Sequence, residues 1–179
     1  MRHSLLLLLF LSTGCNAQPP AKAGARLVTA LSCETNSATR EATVRFTWQI
    51  ENKGKKAASL LNHFAYASRG PLLSLQFVRP GQKAVTVEFD MRDCVTWGME
   101  QTKIRTLGPK QTFTLKARTD LKAFGPLLPG QYTVFALYEP KFWAREMMTD
   151  DIQKKYNLTP DDIWQDKLES NRIELTITE

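Results

Sequence analysis

The sequence predicts an all-β protein built as a sandwich, on three observations. Thr43–Ile50 alternates strictly, with Val44, Phe46, Trp48 and Ile50 on one side and Thr43, Arg45, Thr47 and Gln49 on the other. That period-two pattern belongs to a strand buried on one face. Similar short runs recur along the chain, at 26–33, 73–78, 83–89, 111–117, 132–138 and 173–178. Between them stand turn formers: Asn52-Lys53-Gly54, Pro80-Gly81, Gly108-Pro109 and Pro129-Gly130. Seven or eight short strands separated by such signals make a sandwich or a barrel. No segment repeats at a fixed period.

In chain order, the first element is a targeting segment. Arg2 supplies a positive charge, Leu5–Leu11 is wholly apolar, and Ser12, Thr13 and Gly14 lead to Cys15. A charged start, a short apolar stretch and small residues before a cut site form a secretory signal. A membrane-crossing helix needs about 20 apolar residues, so this stretch does not span. The run Ser12-Thr13-Gly14-Cys15 resembles the lipobox of bacterial lipoproteins, with Leu11 one place earlier than the usual leucine. The resemblance implies that the Cys15 thiol is acylated and the chain cut just before it; ordinary cleavage after Ala17 is the alternative. Asn16 is not the aspartate that holds such proteins on the inner membrane, so the resemblance implies the outer membrane. The expected organisation is a signal peptide over 1–14, a lipidated, Pro- and Ala-rich tether over 15–25, and one domain over 26–179. Secreted or periplasmic soluble protein is the alternative location.

Within the domain, Leu128-Pro129-Gly130-Gln131-Tyr132 places a tyrosine just after a turn, at the head of the alternating run to Tyr138. This resembles the tyrosine corner of immunoglobulin-like sandwiches, where the hydroxyl ties back to nearby backbone. With Leu107-Gly108-Pro109, it is similar to the later strands of immunoglobulin-like bacterial envelope proteins and of the intracellular proteinase-inhibitor family of bacilli. The resemblance runs from about 42 to 138 plus the last strand, and implies an immunoglobulin-like β-sandwich. Between about 140 and 170 the alternation stops. Asp150 with Gln153, and Thr159-Pro160-Asp161-Asp162, carry helix-start signals. They predict two short helices, 150–156 and 160–168, inserted before the last strand. The insertion is rich in large apolar and aromatic residues: Phe142, Trp143, Ile152, Tyr156, Ile163 and Trp164.

The chain of 179 residues carries 42% hydrophobic and 23% charged residues and a formal charge of +6, a globular composition. Its lysines and arginines form no run longer than a pair, so no nucleic-acid stripe is expected. With Cys15 spent on lipid, Cys33 and Cys94 remain; in an oxidising compartment they are expected to pair. A loop of about 60 residues would then be closed, constraining the unfolded chain by roughly 4 kcal/mol. Two free thiols are the other reading.

Catalytic signatures are missing. His63 is the only histidine beyond the signal, and no Gly-x-Ser-x-Gly accompanies it. No Cys/His spacing suits zinc, and the acidic pairs Asp150-Asp151 and Asp161-Asp162 lack the alternation of a calcium loop. No cofactor, metal, catalytic residue or nucleic-acid partner is expected. The expected function is a non-enzymatic, envelope-anchored protein-binding or assembly module, held to the membrane through Cys15, with another envelope protein as partner. Its contact residues are expected at Trp97 and Met99, in the connection 90–101, and at Phe142 and Trp143. The alternatives are a proteinase inhibitor presenting 90–101 to a protease cleft, and a small-ligand-binding envelope protein.

Overall fold

The computed structural model describes residues 24–62, 72–88, 103–123, 127–140 and 148–179. Its strands are β1 (Leu27–Cys33), β2 (Ser37–Thr39), β3 (Thr43–Asn52), β4 (Ala58–Asn62), β5 (Leu73–Val78), β6 (Val85–Glu88), β7 (Lys103–Leu107), β8 (Thr112–Asp120), β9 (Gly130–Tyr138), β10 (Leu168–Glu169) and β11 (Ile173–Thr178), with helix α1 (Asp150–Tyr156) between β9 and β10. One sheet has the order β1-β3-β8, the other β2-β11-β9-β5-β6 with β10 added beside β9, and β4-β7 form a separate pair. All pairings are antiparallel except that of β2 with β11. The chain passes between the two larger sheets from β1 to β2, from β2 to β3 and from β8 to β9, which is the immunoglobulin-like sandwich that the sequence predicts. To the seven expected strands the structure adds four short ones, β2, β4, β7 and β10.

The core lies between the two sheets and is filled from the alternating rows. Val44, Phe46, Trp48 and Ile50 of β3 meet Leu75 and Phe77 of β5 and Tyr132, Val134 and Ala136 of β9, all buried. The Phe77 ring stands edge-on to Phe46 at 6.0 Å and to Tyr132 at 6.2 Å, so one aromatic column crosses from sheet to sheet. Tyr132 Oη donates to the Leu128 carbonyl at 2.7 Å, forming the tyrosine corner. We expect Tyr132→Phe to remove that bond while keeping the packing, at a cost of about 1 kcal/mol. A lower urea midpoint with an unchanged m-value would report it.

At one pole of the sandwich, Asn52 sits fully buried at the end of β3. Its Nδ2 donates to the carbonyls of Lys56 and Leu107, both at 2.8 Å. Its Oδ1 accepts from Gly54 N at 2.9 Å and from Arg26 N at 3.4 Å. One amide thus joins the head of β1, the turn after β3 and the end of β7. Lys53 N bonds Arg26 O at 2.7 Å, while Lys55 N and Lys56 N share Gly24 O. The turn lies so close to 24–26 that a Cβ on Gly54 would stand 2.4 Å from Arg26 N, which explains glycine there.

The free edge of β1 is covered from the opposite sheet. Asn171 Oδ1 accepts from Leu31 N at 2.7 Å, its Nδ2 donates to Leu31 O at 3.1 Å, and Thr29 Oγ1 donates to Glu169 O. A side-chain amide here occupies the place of a neighbouring strand, the kind of cover that keeps a sheet edge from recruiting another chain.

The insertion departs from expectation in its second half. α1 occupies 150–156, as the sequence predicts, but Gln153 Nε2 donates to Met148 O rather than closing a capping box. The second predicted helix, 160–168, is corrected to a single 3-10 turn, Pro160–Asp162. The helix-start signal at 159–162 holds for that turn, where Thr159 N and Oγ1 both donate to Asp162 Oδ2. Beyond it the chain is pulled into extended form: Ile163 bridges to Ser59 of β4, Trp164 N donates to Ser59 O at 2.7 Å, and Leu168 enters β10. Met148, Ile163, Trp164 and Leu168 are buried, so this part of the insertion plugs the core.

Candidate functional site

The register of the strands decides where the candidate segments attach. Leu73, the first residue of β5, faces Tyr138, the last of β9. Its neighbour Ser74 faces Glu88, the last of β6. Asn62, ending β4, faces Lys103, beginning β7. Tyr138 Oη crosses the core to accept from Leu61 N at 3.0 Å, which sets the end of β4 beside that of β9. The flanks of 63–71 and 89–102, and Tyr138 ahead of 141–147, therefore gather at one pole. It is also the pole of the Asn52 hub: Thr29 of β1 bonds Glu169, which pairs Leu137, and Leu27 and Asn52 lie on the same side of that level.

Of the residues expected to act, Trp97, Met99, Phe142, Trp143, Cys94, His63 and Cys15 lie outside the described residues. Cys33 is described and carries a free thiol. It ends β1 at the other pole, opposite Phe46, and burial pushes its pKa up. Its expected partner Cys94, and with it the expected pairing, lies outside the described residues. Among the described residues no group of three or more His, Cys, Asp or Glu side chains is placed to hold a metal ion.

Two features escaped the sequence reading. The first is the outward row of β5 and β9, where Ser74, Gln76, Phe135 and Leu137 stay within 3–9% exposure although they face away from the core. There Thr86 Oγ1 donates to Gln76 Oε1 and Gln76 Nε2 to Ser74 Oγ, both at 2.9 Å. The Arg172 guanidinium lies 4.9 Å over the Phe135 ring and bonds Glu169 at 3.1 Å. The only sequence signal was polar and aromatic residues at alternate positions of otherwise apolar strands.

The second is Tyr138 itself. Desolvation pushes its pKa far above the ordinary tyrosine range, against a smaller opposing effect of the Leu61 N–H. In the unfolded chain the phenol ionises near pH 10; in the folded one it stays protonated. Its contribution to stability is therefore full below about pH 10 and is lost as the pH rises beyond that value. We expect alkaline unfolding of the wild type to begin there, and Tyr138→Phe to flatten that limb, as read by fluorescence against pH.

The class of protein these features define is an immunoglobulin-like β-sandwich with three long connections rooted at one pole. No family model matches the chain, and no curated protein sequence matches it. Solved structures are similar at low identity. A β-glucosidase from Listeria innocua in complex with glucose is 9% identical, with a TM-score of 0.45, over 87% of this chain and 16% of that one. A CARDB domain from Pyrococcus furiosus in complex with di-metal ions is 11% identical, with a TM-score of 0.38, over 86% of this chain and 94% of that one. The sporulation control protein Spo0M from Bacillus subtilis is 14% identical, with a TM-score of 0.44, over 87% and 50%. This chain thus spans about a sixth of the length of the β-glucosidase.

Proposed function

We propose that the protein is a bacterial outer-membrane lipoprotein, acylated at Cys15, whose sandwich is a non-enzymatic protein-binding or assembly module. The observation that carries this reading is the convergence at one pole: the chain arrives there at Gly24, and the flanks of 89–102 and 141–147, which contain Trp97, Met99, Phe142 and Trp143, lie there too. Loops rooted on a rigid scaffold commonly carry binding, and aromatic residues and methionine are enriched in interface cores. A tether at the same pole would hold those connections close to the membrane, so the partner is expected to be an envelope protein reachable there.

The test has two stages. The mature protein should fractionate with membranes and show the mass of an acylated Cys15, whereas Cys15→Ala should leave the membrane fraction; retention of the alanine variant would sink the lipoprotein assignment. Crosslinking in intact envelopes should then recover an assembly or envelope protein from the wild type and much less from Trp97→Ala or Trp143→Ala. Recovery of a protease whose activity falls on binding would replace this reading by an inhibitor presenting 90–101.

A further inference from the structure

The basic residues look scattered in the sequence, but the Asn52 hub collects several of them. Lys53 is tied by its backbone to Arg26, Lys55 and Lys56 to Gly24, and Lys110 N to Asn52 O at 2.7 Å. The hub's Nδ2 also holds the Lys56 carbonyl. Arg26, Lys53, Lys55, Lys56 and Lys110 are all exposed. The three stretches that meet there, 24–26, 51–56 and 108–112, contain no acid other than Glu51, which pairs with Lys53 at 3.4 Å. No carboxylate among the described residues pairs with Arg26, Lys55, Lys56 or Lys110. At the other pole the balance differs: Lys122 pairs with Glu41 at 2.6 Å and Arg45 with Glu34 at 3.8 Å. Among the described residues, unpaired cations also occur at that pole, at Arg79, Lys83 and Arg118, but at the hub five cations meet on one backbone frame with a single carboxylate, where the chain arrives from Cys15.

We propose that this cluster docks on anionic phospholipid headgroups of the membrane in which the protein is anchored, setting the sandwich against the surface by its tether pole. The inference rests on the lipoprotein reading for the anchor and on the hub for the site. Eight residues lie between Cys15 and Gly24, a reach of roughly 30 Å at full extension, so the cluster cannot leave the vicinity of the bilayer. Each cation close to an anionic surface gains about 1 kcal/mol, within a Debye length of about 8 Å at physiological salt. Acyl chains combined with a basic patch form a stronger attachment than either alone. Exposed lysines on a short, hydrogen-bonded frame suit this role, because their mobile stems reach headgroups without a fixed partner geometry.

The experiment is a lysine footprint on the mature, acylated protein. It is reconstituted in vesicles of phosphatidylcholine alone and of phosphatidylcholine mixed with phosphatidylglycerol, and labelled with a water-soluble acylating reagent. On the mixed vesicles, Lys55, Lys56 and Lys110 should react about tenfold more slowly than on the neutral ones. High salt should abolish the difference, while the exposed Lys83 and Lys116 should keep their rates on both. Equal protection of all five lysines, or of none, overturns the proposal. Failure of the lipoprotein reading looks different: the protein would lack the acyl mass and stay off neutral vesicles, and the footprint on the mixed ones could still be read. A Lys55→Gln/Lys56→Gln/Lys110→Gln variant supplies a second readout: it should keep its acyl anchorage and should no longer show salt-sensitive exposure of Lys53 on the mixed vesicles. Unchanged behaviour of Lys53 in that variant also overturns the proposal.

Discussion

Phe77→Ala is expected to lower the stability of the domain by about 4 kcal/mol. The ring is fully buried and touches both sheets' aromatic residues, Phe46 in one and Tyr132 in the other. Truncation removes its transfer energy, opens a cavity between two sheets that cannot close around it, and forfeits two edge-to-face contacts of about 1 kcal/mol each. The proper comparison is Phe113→Ala. That ring is half-buried on β8 beneath Arg105, whose guanidinium lies 5.5 Å away. We expect it to cost about 1 kcal/mol. Equal losses for the two variants in urea denaturation would contradict the central position of Phe77.

Asn52→Ala is expected to cost about 3 kcal/mol, an effect close to that of Phe77→Ala although far fewer atoms are removed. The alanine leaves the carbonyls of Lys56 and Leu107 and the N–H of Gly54 without their partner in a place closed to water. Asn52→Asp separates hydrogen bonding from shape. A carboxylate would face two carbonyls to which it cannot donate, so its protonated form is the better tolerated and its pKa is raised. The sign follows: Asn52→Asp should be least stable at neutral pH and should regain stability as the pH falls toward the carboxylate range. The opposite trend would mean that the side chain does not donate to those carbonyls. Because the hub frames the basic cluster, Asn52→Ala should also weaken docking, and it is therefore unsuited as a test of the cluster.

The fold was legible wherever one face of a strand is wet and the other dry. β3 and β8 alternate for that reason, and Tyr132 announced its own corner. β4 was not legible, because Leu60 and Leu61 are both fully buried, with β7 on one flank and the Ile163–Trp164 stretch on the other. A strand enclosed in this way reads as a short apolar run without period. β2 and β10 have three and two residues, and their pairing energy comes from distant strands, so no local signal exists. The helix signals at 159–162 were correct for one turn and were then overridden by the Ser59 contact. Asn52 read as an ordinary turn residue, since sequence alone does not distinguish an exposed turn from one folded under the chain's own beginning. The basic cluster stayed hidden for the same reason: Arg26, the lysines of 53–56 and Lys110 become neighbours only through the hub. The candidate residues Trp97, Met99, Phe142 and Trp143 came from composition, and the structure contributes the position of their anchoring strands.

The cover over β1 has a kinetic consequence. Asn171 and Leu31 are 140 positions apart, and the parallel pair joins Ser37–Thr39 to Thr176–Thr178. Neither the edge of the first sheet nor the flank of the second can be completed until Asn171 and Thr176–Thr178 are available. Contacts so remote in sequence slow folding, toward the millisecond-to-second range of β-sandwiches. A chain emerging from the ribosome would keep these edges open until residues 171–178 have been made. The closing step of folding is therefore the docking of residues 171–178 onto strands laid down near the start of the domain.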